Sequence, residues 1–122
     1  MKTKTITIHL TDNEDDIETV LNLHSARIED GLFRGSLIGE ALNSFKEGDE
    51  ANDAKRSAGI MMRPSCLAGL DKDDPLRKMS MDDFMLIPDY DANVWLKAIY
   101  ELNPHWSPNY FNLGNDEAEK KR

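Results

Sequence analysis

The chain has 122 residues, enough for one domain with a single core and too few for two. Apolar residues make up 39% and charged residues 31%, and the formal net charge of −8 argues against a nucleic-acid binder, because phosphate neutralisation needs clustered Lys and Arg. Cys66 is the only cysteine, which excludes an internal disulfide. With no apolar run near the roughly 20 residues of a membrane span and no signal-peptide core, a soluble, unexported protein in a reducing cytoplasm is expected.

From Thr5 to Leu10 the sequence alternates, with Ile6, Ile8 and Leu10 on one face and Thr5, Thr7 and His9 on the other. Period two with β-branched residues predicts a half-buried strand. The run "TDNEDD" is turn-forming, since Asp and Asn side chains bond their own backbone. Alternation then resumes with Ile17, Thr19, Leu21 and Leu23, so a β-hairpin from about Thr3 to His24 is predicted. Two strands alone are marginal in water, and helices must cover the apolar face.

Past Arg27 the period becomes helical: Phe33, Leu37, Ile38, Ala41, Leu42 and Phe45 recur at three-to-four spacing, with Gly48 suited to the C-terminal stop. Gly31, Gly35 and Gly39 fall every fourth residue on this helix, which predicts either close packing against the hairpin or a weakened helix in need of tertiary support. A second helix is predicted from Glu50 to Met62, with Ala51, Ala54, Ala58, Met61 and Met62 on one stripe. Pro64 ends it, because the residue before proline avoids the α region. Ser65 to Pro75 reads as a loop. Ser80 can cap a short helix from Met81, with Asp83 as the acidic half of a capping box and Pro88 as its end. Asp91 can cap a last helix in which Trp95, Ala98, Ile99 and Leu102 share a face, stopped by Pro104 and Pro108. The segment "HWSPNYFNLGNDEAEKKR" reads as irregular and then disordered. The expected fold is α+β: an N-terminal hairpin on a bundle of three to four short helices, one domain over residues 1–113, and a charged tail over 114–122.

The search for chemistry is mostly negative. Asp71, Asp73 and Asp82 fall at the first, third and twelfth positions of a calcium-loop register, which fails because Leu76 replaces the turn glycine, Pro75 a ligand, and the last acid is not Glu. Cys66 lacks the local signatures of a catalytic thiol and reads as buried and structural. His9 and His24, on the polar faces of the two strands, could be cross-strand neighbours, but two imidazoles without a third ligand make a poor zinc site. No Gly-rich phosphate loop lies between a strand and a helix. The expectation is a non-enzymatic protein with no cofactor and no metal.

A binding surface remains. Met61, Met62, Met79, Met81 and Met85 cluster in mid-chain, where methionine either fills an irregular core or lines an adaptable groove. Trp106, Tyr110 and Phe111, interleaved with prolines, either fold back as a clamp over the core or form an interaction site. Met81, Phe84, Met85, Trp106, Tyr110 and Phe111 are therefore the candidate partner-binding residues.

The order of parts, a hairpin beginning "TITIHL", a first helix, an Ala-rich second helix, then "PLRKMSMDDFMLI" and a final short helix, resembles the tail assembly chaperones of long-tailed phages, in particular the small tail assembly proteins of Mu-like prophages. Leu76, Met79, Asp83 and Ile87 match that family's "L..L...D...I" type segment, and the resemblance spans roughly residues 4–102. The loop from Ser65 to Pro75 is longer than the family's link, and the segment from His105 to Leu113 has no counterpart in it. The resemblance implies a chaperone in the host cytoplasm that coats the helical tape measure protein before the tail tube polymerises and that self-associates. The terminal "EKKR" fits an A-rich slippery codon run of the kind used to extend such chaperones by frameshifting. The rival reading is an acidic inhibitor, a nucleic-acid mimic against a nuclease or an immunity protein against a toxin, supported by the net charge and by the carboxylates dense in residues 12–18 and 71–91.

Overall fold

In the computed structural model, which describes residues 1–44 and 53–108, the chain is α+β. Strand β1 (Thr3–Ile8) pairs antiparallel with β2 (Thr19–His24), so that Ile6 faces Leu21 and Ile8 faces Thr19. The predicted alternation therefore places Ile8, Leu21 and Leu23 on the buried face and leaves Thr5, Thr7, Val20 and Asn22 on the open one. The connecting turn uses the expected Asp chemistry, since the Asp16 carboxylate accepts from the amides of Leu10 and Thr11, both at 3.0 Å. One consequence differs from the prediction. The turn holds Ile17 outside the ladder and exposed, and the second strand starts only at Thr19.

Helix α5 (Asp89–Leu102) covers the apolar face of the hairpin with Trp95, Ala98 and Ile99. Pro88, not Asp91, occupies its N-cap position. Asp91 lies inside the first turn and accepts instead from the His9 amide at 3.0 Å, which ties the hairpin's far end to the helix. At its other end Asn103 is buried, accepts from the Ala26 amide at 2.7 Å and donates to the Ile99 carbonyl at 3.2 Å.

Between α5 and the long outer helix α1 (Ile28–Ser44) lies α3 (Arg63–Ala68), where a loop is predicted from sequence. Pro64 does end α2 (Asp53–Met61), but it also opens α3: its missing N–H costs nothing in a first turn and its fixed φ is already helical. Pro64 to Leu70 are all buried. Burial pushes the Cys66 thiol far above its ordinary pKa, as an inert structural cysteine requires. On α2 the expected alanine and methionine stripe is not the buried one: Ala54 and Met61 are exposed, and the buried residue is Gly59.

A buried ion pair ties α1 to the centre. Asp30 accepts from the Arg77 guanidinium at 3.1 Å and from the Arg27 amide at 2.9 Å; Arg77 also donates to the Leu70 carbonyl at 3.0 Å and stacks on the Phe33 ring. Both charges are buried, a placement that is stable only because each has several partners. The Ser80 cap is present, its hydroxyl accepting from the Asp83 amide at 3.1 Å to start the one-turn helix α4 (Met81–Phe84). His9 and His24 stand at opposite ends of the hairpin and are not neighbours; His24 instead lies 3.5 Å from Asp71 and 3.9 Å from Asp30. No helix among the described residues is long and apolar enough to cross a membrane.

Candidate functional site: two exposed apolar faces

Helix α1 turns one side inward through Asp30 and Leu37, seven residues apart and hence on one face. At about 3.6 residues per turn, the opposite side carries Ile28, Leu32, Gly35, Gly39 and Leu42, spaced by four, three, four and three residues. This outward side is apolar throughout. Ile28 is 85% exposed and Leu32 71%. Leu42 is also exposed, although periodicity groups it with the buried face. Around Gly31, Gly35 and Gly39 nothing among the described residues stands within 4 Å of where a Cβ would sit, so these glycines do not pack against the hairpin. They weaken the helix and leave a shallow apolar trough between the large side chains at its two ends.

A second apolar surface lies around Pro88, between α4 and α5. Leu86 is 59% exposed and Tyr90 79%, with Met85 beside them in sequence and also exposed. Asp82, Asp83 and Asp89 flank this corner, and the hairpin turn brings Asp12, Glu14 and Asp16 round a recess shared with Pro88 and Asp91. Lys55 of α2 donates to Asp82 at 2.8 Å and holds that carboxyl below its ordinary pKa by the hydrogen bond and by charge.

The predicted partner-binding residues divide. Phe84 is buried and packs obliquely on Trp95, with ring centroids 6.2 Å apart, so it belongs to the core. Trp106 is only 8% exposed: Pro104–Trp106 form a short 3-10 turn that returns the indole to the core beneath the Arg34 guanidinium, 4.9 Å from the ring centroid. For Trp106 the clamp alternative is the observed one. Arg34 is held there by a 2.8 Å hydrogen bond to buried Ser65, and its pKa is lowered by partial burial. Met81 is half-buried and, with Leu37, Gly59 and Arg63, lines a groove of about 380 Å³ between α1 and α2; only Met85 keeps an exposed position. Tyr110 and Phe111 lie outside the described residues, as do Phe45, Gly48, the expected start of α2 at Glu50, and the expected disordered tail over 114–122.

Sequence reasoning misses Ile28, Leu32, Leu86 and Tyr90. For the first two a signal exists, because a helical wheel centred on the glycines collects them opposite Leu37. For Leu86 and Tyr90 none does, since one turn of helix is too short to show a period. Among the described residues no group of three or more His, Cys, Asp or Glu side chains is placed to hold a metal ion. Of the acids in the calcium-loop register, Asp82 is held by Lys55 and Asp71 lies beside His24. Compared with known proteins, the chain matches no protein-family model, no curated protein and no solved structure.

Proposed function

We propose that this chain is a non-enzymatic tail assembly chaperone of a long-tailed phage, which binds the helical tape measure protein and shields it while the tail tube forms. The observation that carries this reading is the corner of Met85, Leu86 and Tyr90, three apolar side chains left in solvent by a protein that buries Trp95, Trp106 and Phe84 completely or nearly so. An amphipathic helix laid across that corner would bury its apolar stripe there and meet Asp82, Asp83 and Asp89 with basic residues on its flanks. The net charge of −8 would keep such a complex soluble. The order of hairpin, helices and capped helix supports the same family. The test is co-expression with the tape measure protein encoded in the same genome. The expected result is a soluble complex that co-purifies, and loss of that complex with the double variant Leu86→Glu/Tyr90→Ser. A tape measure protein that aggregates equally with and without the chain overturns the reading.

The second reading, an acidic inhibitor of a nuclease or toxin, is favoured by one specific arrangement: Asp12, Glu14 and Asp16 gathered beside Asp91 around one recess. Affinity for a basic partner that falls steeply with salt would support it, whereas a salt-insensitive complex would support the chaperone.

A further inference from the structure

We infer that the outer edge of β1 is a docking site for an extended, acidic segment of another protein, which adds to the hairpin as a third strand. The inference does not depend on the chaperone reading and shares no residue with the corner of Met85, Leu86 and Tyr90. It starts from the parity of the ladder. The Ser25 amide donates to the Lys2 carbonyl at 2.8 Å, and in an antiparallel pair the residues that exchange such bonds recur at every second position. Lys4, Ile6 and Ile8 therefore bond to β2, whereas Thr3, Thr5 and Thr7 turn their N–H and C=O groups away from it. On β2 the outward residues are Val20, Asn22 and His24.

The two edges are not equally available. The His24 amide on β2 donates to the Gly69 carbonyl at 3.0 Å, so that edge abuts the end of α3. On β1 the His9 amide, just past the strand, is taken by Asp91, but no described residue outside the hairpin hydrogen-bonds the backbone of Thr3, Thr5 or Thr7. Burial has the same asymmetry: Leu21 is 1% exposed, while Ile6 directly across the ladder is only half-buried. A strand laid along β1 completes the cover of Ile6 and pairs the open backbone groups of the three threonines. β1 has no proline and no bulge to blunt its edge, and Lys4, which could guard it, is held by Glu101. Charge selects the occupant. In a chain of net charge −8, residues 1–11 hold Lys2 and Lys4 and no acid, and Lys97 stands one turn before Glu101 on the same side of α5. Lys2 and Lys97 are exposed and make no ion pair among the described residues. An alternating segment with carboxylates flanking apolar residues meets these cations and Ile6 together, and a basic one is repelled. A second copy of β1 brings the same lysines and no acid to meet them.

Amide hydrogen exchange of the full chain, followed residue by residue by NMR, tests this. The probe is a blocked synthetic peptide in which valine and threonine alternate between terminal glutamates. Exchange at Thr3, Thr5 and Thr7 should slow by at least about tenfold when the peptide is added, with Val20 and Asn22 on the other edge unchanged. The same peptide with lysines in place of the glutamates should bind at least about tenfold more weakly at low salt. Thr5→Pro deletes an amide that points out of the hairpin, so circular dichroism should be unchanged while the peptide no longer slows Thr3 and Thr7. Should the proline unfold the hairpin, the exposed double variant Lys2→Glu/Lys97→Glu takes its place and should reverse the preference between the two peptides. No slowing up to the solubility limit of the peptide overturns the inference. So does slowing at Val20 and Asn22 instead, or equal affinity for the two peptides. Slow exchange at the three threonines in the free chain that deepens with protein concentration also overturns it, since a second copy then holds the edge.

Discussion

Helices α1 and α3 use small and apolar residues in opposite ways. In α3, six residues long, every position from Pro64 to Ala68 is buried, and Gly69 follows at its C-cap with Ile99 pressed against it: a Cβ there would stand 2.0 Å from the Ile99 Cδ1. In α1, seventeen residues long, only Asp30 and Leu37 are buried, and three glycines face open space. Length and periodicity thus do not rank these helices by their importance to the core. What separates them is position: α3 touches α1 on one side and α5 on the other, whereas the outward side of α1 has no neighbour among the described elements. A short helix in the centre is held by its surroundings; a long one at the rim must be held by a few specific ties, here the Asp30–Arg77 pair and the Arg34 stack on Trp106.

The largest expected effect lies where Phe84 of α4 packs on α5. Phe84→Ala removes a buried ring packed on Trp95 and should cost about 3–5 kcal/mol, measured by urea denaturation. A loss below about 1 kcal/mol would return Phe84 to the list of partner-binding residues. Gly69→Ala comes next. The methyl group meets the end of a side chain that is itself fully buried and cannot swing away, so a cost of about 1–3 kcal/mol is expected. Gly35→Ala has the opposite sign, raising stability by up to about 1 kcal/mol in dilute solution, because the helix gains propensity and the methyl group meets nothing. Equal effects of the two glycine substitutions would abolish the distinction between the helices.

How much of this is legible in sequence follows from the same distinction. The hairpin is legible, because period-two alternation and the Asp-rich turn act over neighbouring residues; Ile17 is the exception, displaced by the hydrogen bonds of Asp16 next to it. The Ser80 cap is legible for the same local reason. α3 is not, because Pro64 carries two contrary meanings, helix stop and helix first turn, and only the packing of α1 and α5 on either side decides between them. Sequence leaves Trp106 open between clamp and interaction site, since the residue that covers it, Arg34, is far away in the chain. Of the candidate surfaces, the outward side of α1 is written in its spacing. The corner of Leu86 and Tyr90 exists only once Pro88 has set α4 and α5 against each other.

The smallest expected effect concerns α2, which joins the rim to the centre through contacts with both α1 and α3. Lys55 on α2 donates to Asp82 on α4, and this hydrogen bond, with the lysine's charge, lowers the Asp82 pKa below its ordinary value. A carboxyl whose pKa is lower folded than unfolded adds stability above the unfolded value and loses it as pH falls through the folded one. The thermal midpoint of the parent chain should therefore exceed that of Asp82→Asn at about neutral pH, and the two curves should converge below the ordinary carboxylate range, where both side chains are neutral. Because the pair is open to solvent the gap should be small and should shrink with added salt. A gap that persists in acid would mean that Asp82 supports α4 through something other than its charge, such as the helix start that Ser80 caps two residues earlier.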